Sequence, residues 1–114
     1  MSSEQRDTAD GTLVVRTAKE GETHVISLCG ELDLANVSTA ETALEASLAD
    51  NAARVVIDMR ELEFIDSTGI ALMVSALGNN ESEEKVRFIP SSAPAVARVL
   101  DLTGLSERLP LADA

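Results

Sequence analysis

The sequence has no tryptophan and no tyrosine, and phenylalanine occurs twice in 114 residues. Aromatic stacking is therefore excluded as the main means of holding a base or a sugar. The core must instead be assembled from Leu, Ile, Val, Ala and Met. Basic side chains are also scarce: nine Lys and Arg stand against 20 Asp and Glu, a formal net charge of −11. Such a surface repels phosphate backbones and anionic membranes, so neither direct nucleic-acid binding nor membrane binding is expected, and a basic protein surface is the natural complement. A single cysteine, Cys29, excludes an internal disulfide, and a single histidine, His24, has no second histidine with which to bind metal. No apolar run reaches the length needed to span a bilayer. The opening MSSEQRDTADG carries neither a basic start nor an apolar stretch for export, so a cytoplasmic location is expected.

What remains is one domain's worth of chain, organised by periodicity. Residues 1–11 are polar and acidic and read as a disordered tail, residues 12–110 as the folded domain, and residues 111–114 as a C-terminal tail. Thr12 to Thr17 and Glu22 to Cys29 are strand candidates joined through Ala18-Lys19-Glu20-Gly21, as in an antiparallel hairpin. His24 is placed at the surface or a strand edge, and Cys29 reads as a small buried hydrophobe. Asn36 or Ser38 opens a helix whose apolar stripe is Val37, Ala40, Leu44 and Leu48. The β-branched run Val55-Val56-Ile57, within a strand from Arg54 to Met59, suits a strand covered on both faces. A second helix follows Ser67, with Ile70, Leu72, Met73, Ala76 and Leu77 at three- and four-residue spacing and Gly78-Asn79-Asn80 as its stop. Lys85 to Ile89 reads as a strand. A helix with Pro94 in its first turn buries Val96, Val99, Leu100 and Leu102 and stops at Gly104, and a short strand is expected at Glu107 to Leu109. The order ββαβαβα(β) predicts an α/β domain with a mixed sheet, an initial hairpin and helices packed on the sheet.

The chemistry gathers where the central strand region passes into the second helix, at Asp66-Ser67-Thr68-Gly69. Ser67 stands at or beside a helix N-terminus. Local sequence allows two roles, a cap for the orphan N–H groups of the first turn or an available hydroxyl. Gly69 leaves little bulk beside that hydroxyl, which would let a backbone or a phosphate approach. A hydrolase reading fails for want of a Gly-x-Ser-x-Gly elbow and a suitable base. A phospho-aspartate reading would use Asp58 after Val55-Val56-Ile57, but Leu28-Cys29-Gly30 offers no acidic pair to hold magnesium, while Glu31 and Asp33 are spaced differently. Gly-x-x-x-x-Gly-Lys is absent, so there is no phosphate loop. The chain reads as a substrate and a binding module, with no enzyme activity, no metal and no cofactor of its own.

Three segments in this order, Gly30-Glu31-Leu32-Asp33, then Phe64-Ile65-Asp66-Ser67-Thr68-Gly69-Ile70, then the run from Pro94 to Leu105, resemble the STAS domain of bacterial anti-sigma factor antagonists. The resemblance extends from about residue 12 to about residue 109. It implies an antagonist that binds an anti-sigma factor, itself a serine kinase, and so frees a sigma factor for transcription. It implies that this kinase, with its own ATP and magnesium, phosphorylates Ser67, and that a serine phosphatase removes the phosphate. Asp33 and Asp66 match the acidic positions around the serine, Gly69 and Ile70 match the start of the helix, and Glu31 is expected near the same end of the sheet. Thr68 is the alternative acceptor. The resemblance also implies a further helix after the last strand, for which only Leu111-Ala112-Asp113-Ala114 remain. Two other roles of such domains stay open, an accessory subunit of a transporter complex and a module binding a small ligand or nucleotide at the same turn.

Overall fold

The computed structural model describes residues 4–78 and 85–112, with side chains from Arg6 onward. Three strands come first: β1 (Glu4–Asp10), β2 (Leu13–Glu20) and β3 (Thr23–Leu32). Helix α1 (Val37–Ala49), β4 (Arg54–Asp58), β5 (Leu62–Ile65), α2 (Ser67–Gly78), β6 (Val86–Ile89) and α3 (Pro94–Leu102) follow, and a 3-10 turn at Leu105–Glu107 closes the order. The strands form one mixed six-stranded sheet in the order β1-β2-β3-β4-β6, with β5 paired to β3 beyond the end of β4. β1, β2 and β3 run antiparallel in succession, whereas β3–β4, β3–β5 and β4–β6 are parallel.

The first strand corrects the expectation of a disordered tail for Glu4–Asp10, while residues 1–3 of that tail lie outside the described residues. Its polar composition suits an edge, where apolar alternation is unnecessary and charge discourages further pairing. It is held by a ladder running from Glu4 opposite Lys19 to Asp10 opposite Leu13. The two-residue link Gly11-Thr12 closes it, and Gly11 adopts φ +62°, a region that glycine enters freely. The Asp10 carboxylate also accepts a 2.7 Å hydrogen bond from the Thr39 hydroxyl, which ties the strand to α1. The expected strand at Glu107 to Leu109 is likewise replaced. Leu105 and Leu109 are buried by the 3-10 turn, and sheet pairing resumes only at Leu111, which bridges Phe88.

All three helices bury their apolar sides against one face of the sheet. Leu13, Val15, Ile26, Leu28, Val55, Ile57, Val86 and Phe88 on the strands meet Ala40 and Leu44 of α1, Leu72, Met73 and Ala76 of α2, and Val96 and Leu100 of α3. The expectation that β4 is covered on both faces is corrected: Val56 lies outside this cluster and is shielded to 8% exposure on the opposite face, where Val25 and Arg87 flank it in register. Leu102 also departs from its assignment. It is 77% exposed because α3 ends there and turns away. His24 was expected at the surface, yet it falls in the helix-facing row with Ile26 and Leu28 and is buried, its Nε2 3.6 Å from Asp50 Oδ2. Cys29 lies on the opposite row and is only half-buried, with burial raising its thiol pKa. Asn79 and Asn80, assigned to the stop of α2, lie outside the described residues.

Candidate functional site

The site is built where β3 and β5 end side by side. Gly30 makes this possible. With φ +104° it sits so close to Thr12 that a Cβ would collide with the Thr12 carbonyl. Its N–H turns to the Glu61 carbonyl at 3.0 Å, and the register shifts between Gly30 and Glu31. β3 thereby ends its run along β4 and pairs with β5, Glu31 opposite Phe64 and Leu32 opposite Ile65. Two parallel strands that finish together deliver their following loops to the same edge, so the loop at 33–36 and Asp66 become neighbours.

The first loop is locked by its own polar groups. The Asn36 side chain, 2% exposed, accepts from the Asp33 N–H at 3.0 Å and donates to the Glu31 carbonyl at 2.9 Å. Asp33 Oδ1 accepts the Ala35 N–H, and the Asp33 carbonyl takes the N–H groups of Asn36 and Val37. By sequence Asn36 is a helix-cap candidate. It instead acts as a staple within the loop, and it makes no side-chain cap hydrogen bond. Such a role follows from a buried amide that must satisfy both its donor and its acceptor.

Asp66 joins that loop to α2. Its Oδ1 accepts from the Thr68 N–H at 2.9 Å, the Thr68 hydroxyl at 2.5 Å and the Gly69 N–H at 3.3 Å, while Oδ2 accepts the Leu34 N–H at 3.2 Å. The hydroxyl of Thr68, with the N–H groups of Gly69, Thr68 and Leu34 behind it, holds the Asp66 carboxyl below the ordinary carboxylate range. The cap of α2 is therefore Asp66. Ser67, the first residue of the helix, is exposed, and its hydroxyl makes no hydrogen bond to a described residue.

Of the residues singled out in the sequence, Glu31 and Ser67 are exposed, Asp33, Asp66 and Thr68 are half-buried, and Asp33 and Asp66 flank the same two loops. Gly69 and Ile70 face inward. Gly69 is buried, and a Cβ there would stand 2.5 Å from Ile65 Cγ1 and 2.9 Å from Leu32 Cδ2. The expectation that Gly69 leaves room for an approaching phosphate is thus corrected: its small size lets the first turn of α2 pack on β3 and β5. Ile70 packs on the core. Leu34, absent from the sequence reading, is 74% exposed beside this turn. Asp58, which a phospho-aspartate site would use, is half-buried and carries Arg60 in a two-pronged ion pair at 2.8 and 3.0 Å. Burial disfavours its charged form, but the hydrogen bonds from Arg60 outweigh this and hold its pKa down. Among the described residues, no group of three His, Cys, Asp or Glu is placed to hold a metal ion. A cleft of about 930 Å³ lies elsewhere, between α1 and the β1–β2 hairpin, where Arg6, Lys19 and His24 contribute to its lining.

The mixed six-stranded sheet with three helices matches the fold of solved anti-sigma factor antagonists. The sequence profile of the family described as "Mlab, STAS domain" matches residues 15–112, and the chain belongs to that family. It is 24% identical over 95 residues to an anti-sigma-B factor antagonist of Staphylococcus aureus strain NCTC 8325 / PS 47, covering 83% of this chain and 88% of the relative. It is 27% identical over 100 residues to the anti-sigma-F factor antagonist RsfB of Mycobacterium tuberculosis strain CDC 1551 / Oshkosh, covering 87% and 80%. The crystal structure of an anti-sigma factor antagonist from Mycobacterium paratuberculosis superposes with a TM-score of 0.80 at 26% identity, covering 94% of this chain and 91% of the other.

Proposed function

We propose that this chain is an anti-sigma factor antagonist that binds an anti-sigma factor with serine kinase activity, thereby frees a sigma factor, and is switched off by phosphate on Ser67. The names of its relatives support the first part of that reading. One observation carries the choice of acceptor: Asp66 caps α2 and engages the Thr68 hydroxyl, while the Ser67 hydroxyl is exposed and makes no hydrogen bond to a described residue. A residue that were itself the cap would have to surrender a stabilising bond before it could react.

The charge change then does the work. Phosphate adds about −1.5 to −2 charges. The helix N-terminus offsets part of this locally, by about 0.3–1 kcal/mol, and Asp66 opposes it. A partner surface fitted to a neutral hydroxyl meets a dianion that must be desolvated or excluded, a mismatch that costs several kcal/mol and orders of magnitude in affinity. ATP and magnesium belong to the kinase, and a serine phosphatase restores the binding form. The test is phosphorylation of the purified protein by candidate anti-sigma factor kinases with ATP and magnesium, with the phosphate located by mass spectrometry. Incorporation at Ser67 is expected, abolished in Ser67→Ala and retained at least in part in Thr68→Ala. Phosphate found chiefly on Thr68 overturns the assignment.

A further inference from the structure

We propose that Leu34 is the apolar anchor by which this domain docks on its anti-sigma factor, and that the partner offers an apolar pocket rimmed by Lys or Arg beside the groove that receives Ser67. The proposal rests on the antagonist reading above and adds the residue and the pocket chemistry.

Leu34 is one of five large hydrophobic residues that stand exposed among the described residues, with Phe64, Val74, Leu102 and Leu111. It differs from the others in how it is held. Its backbone N–H is bound to the Asp66 carboxylate that caps the helix of Ser67, so the side chain emerges from the same rigid surface as the acceptor hydroxyl. On either side, Asp33 N–H is bound by Asn36, Ala35 N–H by Asp33, and the Asn36 amide by the Glu31 carbonyl. Each N–H from Asp33 to Asn36 has an acceptor within the domain, and none of these bonds involves the Leu34 side chain. Its exposure is therefore imposed by a fixed loop, at 74% of the full value. A preorganised loop loses little freedom on binding, which is the condition under which one aliphatic side chain gives affinity.

The surroundings identify the occupant. Asp33 precedes Leu34 in the loop, the Asp66 carboxylate binds the Leu34 N–H, and Glu31 is exposed at the end of β3, on a chain of net charge −11. An apolar centre with a charged rim is the arrangement of an interface hot spot, and its complement is an apolar pocket edged by cations. Phosphate on the adjacent Ser67 brings a dianion to the mouth of that pocket, which links the anchor to the switch.

The experiment measures association and dissociation rates, at fixed salt, between the anti-sigma factor that binds the parent chain and four proteins: parent, Leu34→Ala, Leu34→Met and Leu111→Ala. Leu111 is a control because it is exposed at the β6 edge of the sheet, whereas Leu34 follows the central strand β3. Leu34→Ala is expected to bind at least about tenfold more weakly, chiefly through faster dissociation, with an unchanged melting temperature. Leu34→Met is expected within about threefold of the parent, and Leu111→Ala within about twofold, since the first keeps an apolar knob and the second lies outside it. Leu34→Ala binding like the parent overturns the anchor and leaves the antagonist reading intact. Equal weakening by Leu111→Ala overturns it as well, because the effect is then not local. Failure of the parent itself to bind any anti-sigma factor overturns both.

Discussion

Asp66 carries two duties, helix cap and loop tether, and both depend on its being ionised. Because its hydrogen bonds lower its pKa in the folded state, the stability it contributes is present above the unfolded value of about 3.9 and disappears as pH falls through the lower folded value. Asp66→Asn should therefore be less stable than the parent near neutral pH, by about 0.5–2 kcal/mol for a weakened cap, and the gap should narrow in acid. Thermal melts from pH 7 down to pH 2.5 check this; a gap that stays constant across the range excludes the charge as the cause. The residue types at this turn were legible in the sequence, since Asp-Ser-Thr-Gly before an apolar run marks a helix start. Which of them caps was not legible, because Asp, Ser and Thr all accept the same N–H groups and only the direction of approach decides. Gly69 misled for a related reason: a missing side chain signals close approach without saying which neighbour approaches.

At the scale of elements, β1 is the strand that composition conceals. Glu-Gln-Arg-Asp-Thr-Ala-Asp has no apolar alternation, and strand pairing through main-chain groups leaves no mark on side-chain pattern when the strand lies at an edge. Deleting residues 1–10 should lower the melting temperature and speed hydrogen exchange at the β2 amides that face β1, while β4 and β6 keep their protection until global unfolding. A deletion with unchanged melting temperature and exchange means that β1 adds nothing to the domain's stability. β5 is not legible as a strand either, since its burial order of in, out, out, in does not alternate: Leu62 and Ile65 return to the core as their apolar character suggests, but Phe64 is exposed. The amphipathic helices were the most readable elements. The stripes of α1 and α2 lie where their three- and four-residue spacing put them, because each packs on the sheet through one continuous side. Leu102 failed at the last turn of α3, where spacing continues but the sheet beneath does not.

For the whole molecule, the deficit of positive charge makes its encounters with a basic partner dependent on ionic strength. Raising salt from low to physiological should slow association with the anti-sigma factor more than it speeds dissociation, because long-range attraction is screened while contacts formed at short range are not. An association rate indifferent to salt counts against a charged interface. The α/β class and mixed sheet were readable from the order of elements, while the one-sided stacking of helices was not. Val55-Val56-Ile57 looks the same whether its middle residue meets a helix or only neighbouring strands.

The tether between Leu34 and Asp66 uses only the backbone of position 34. Any residue except proline carries that N–H, so the loop holds its shape whatever side chain stands there. Within a genome that encodes several such domains, position 34 is then a place where descendants of one ancestor can diverge in partner without relearning how to fold. The carboxylate two strands' ends away fixes the stage, and the side chain at 34 is free to be recast.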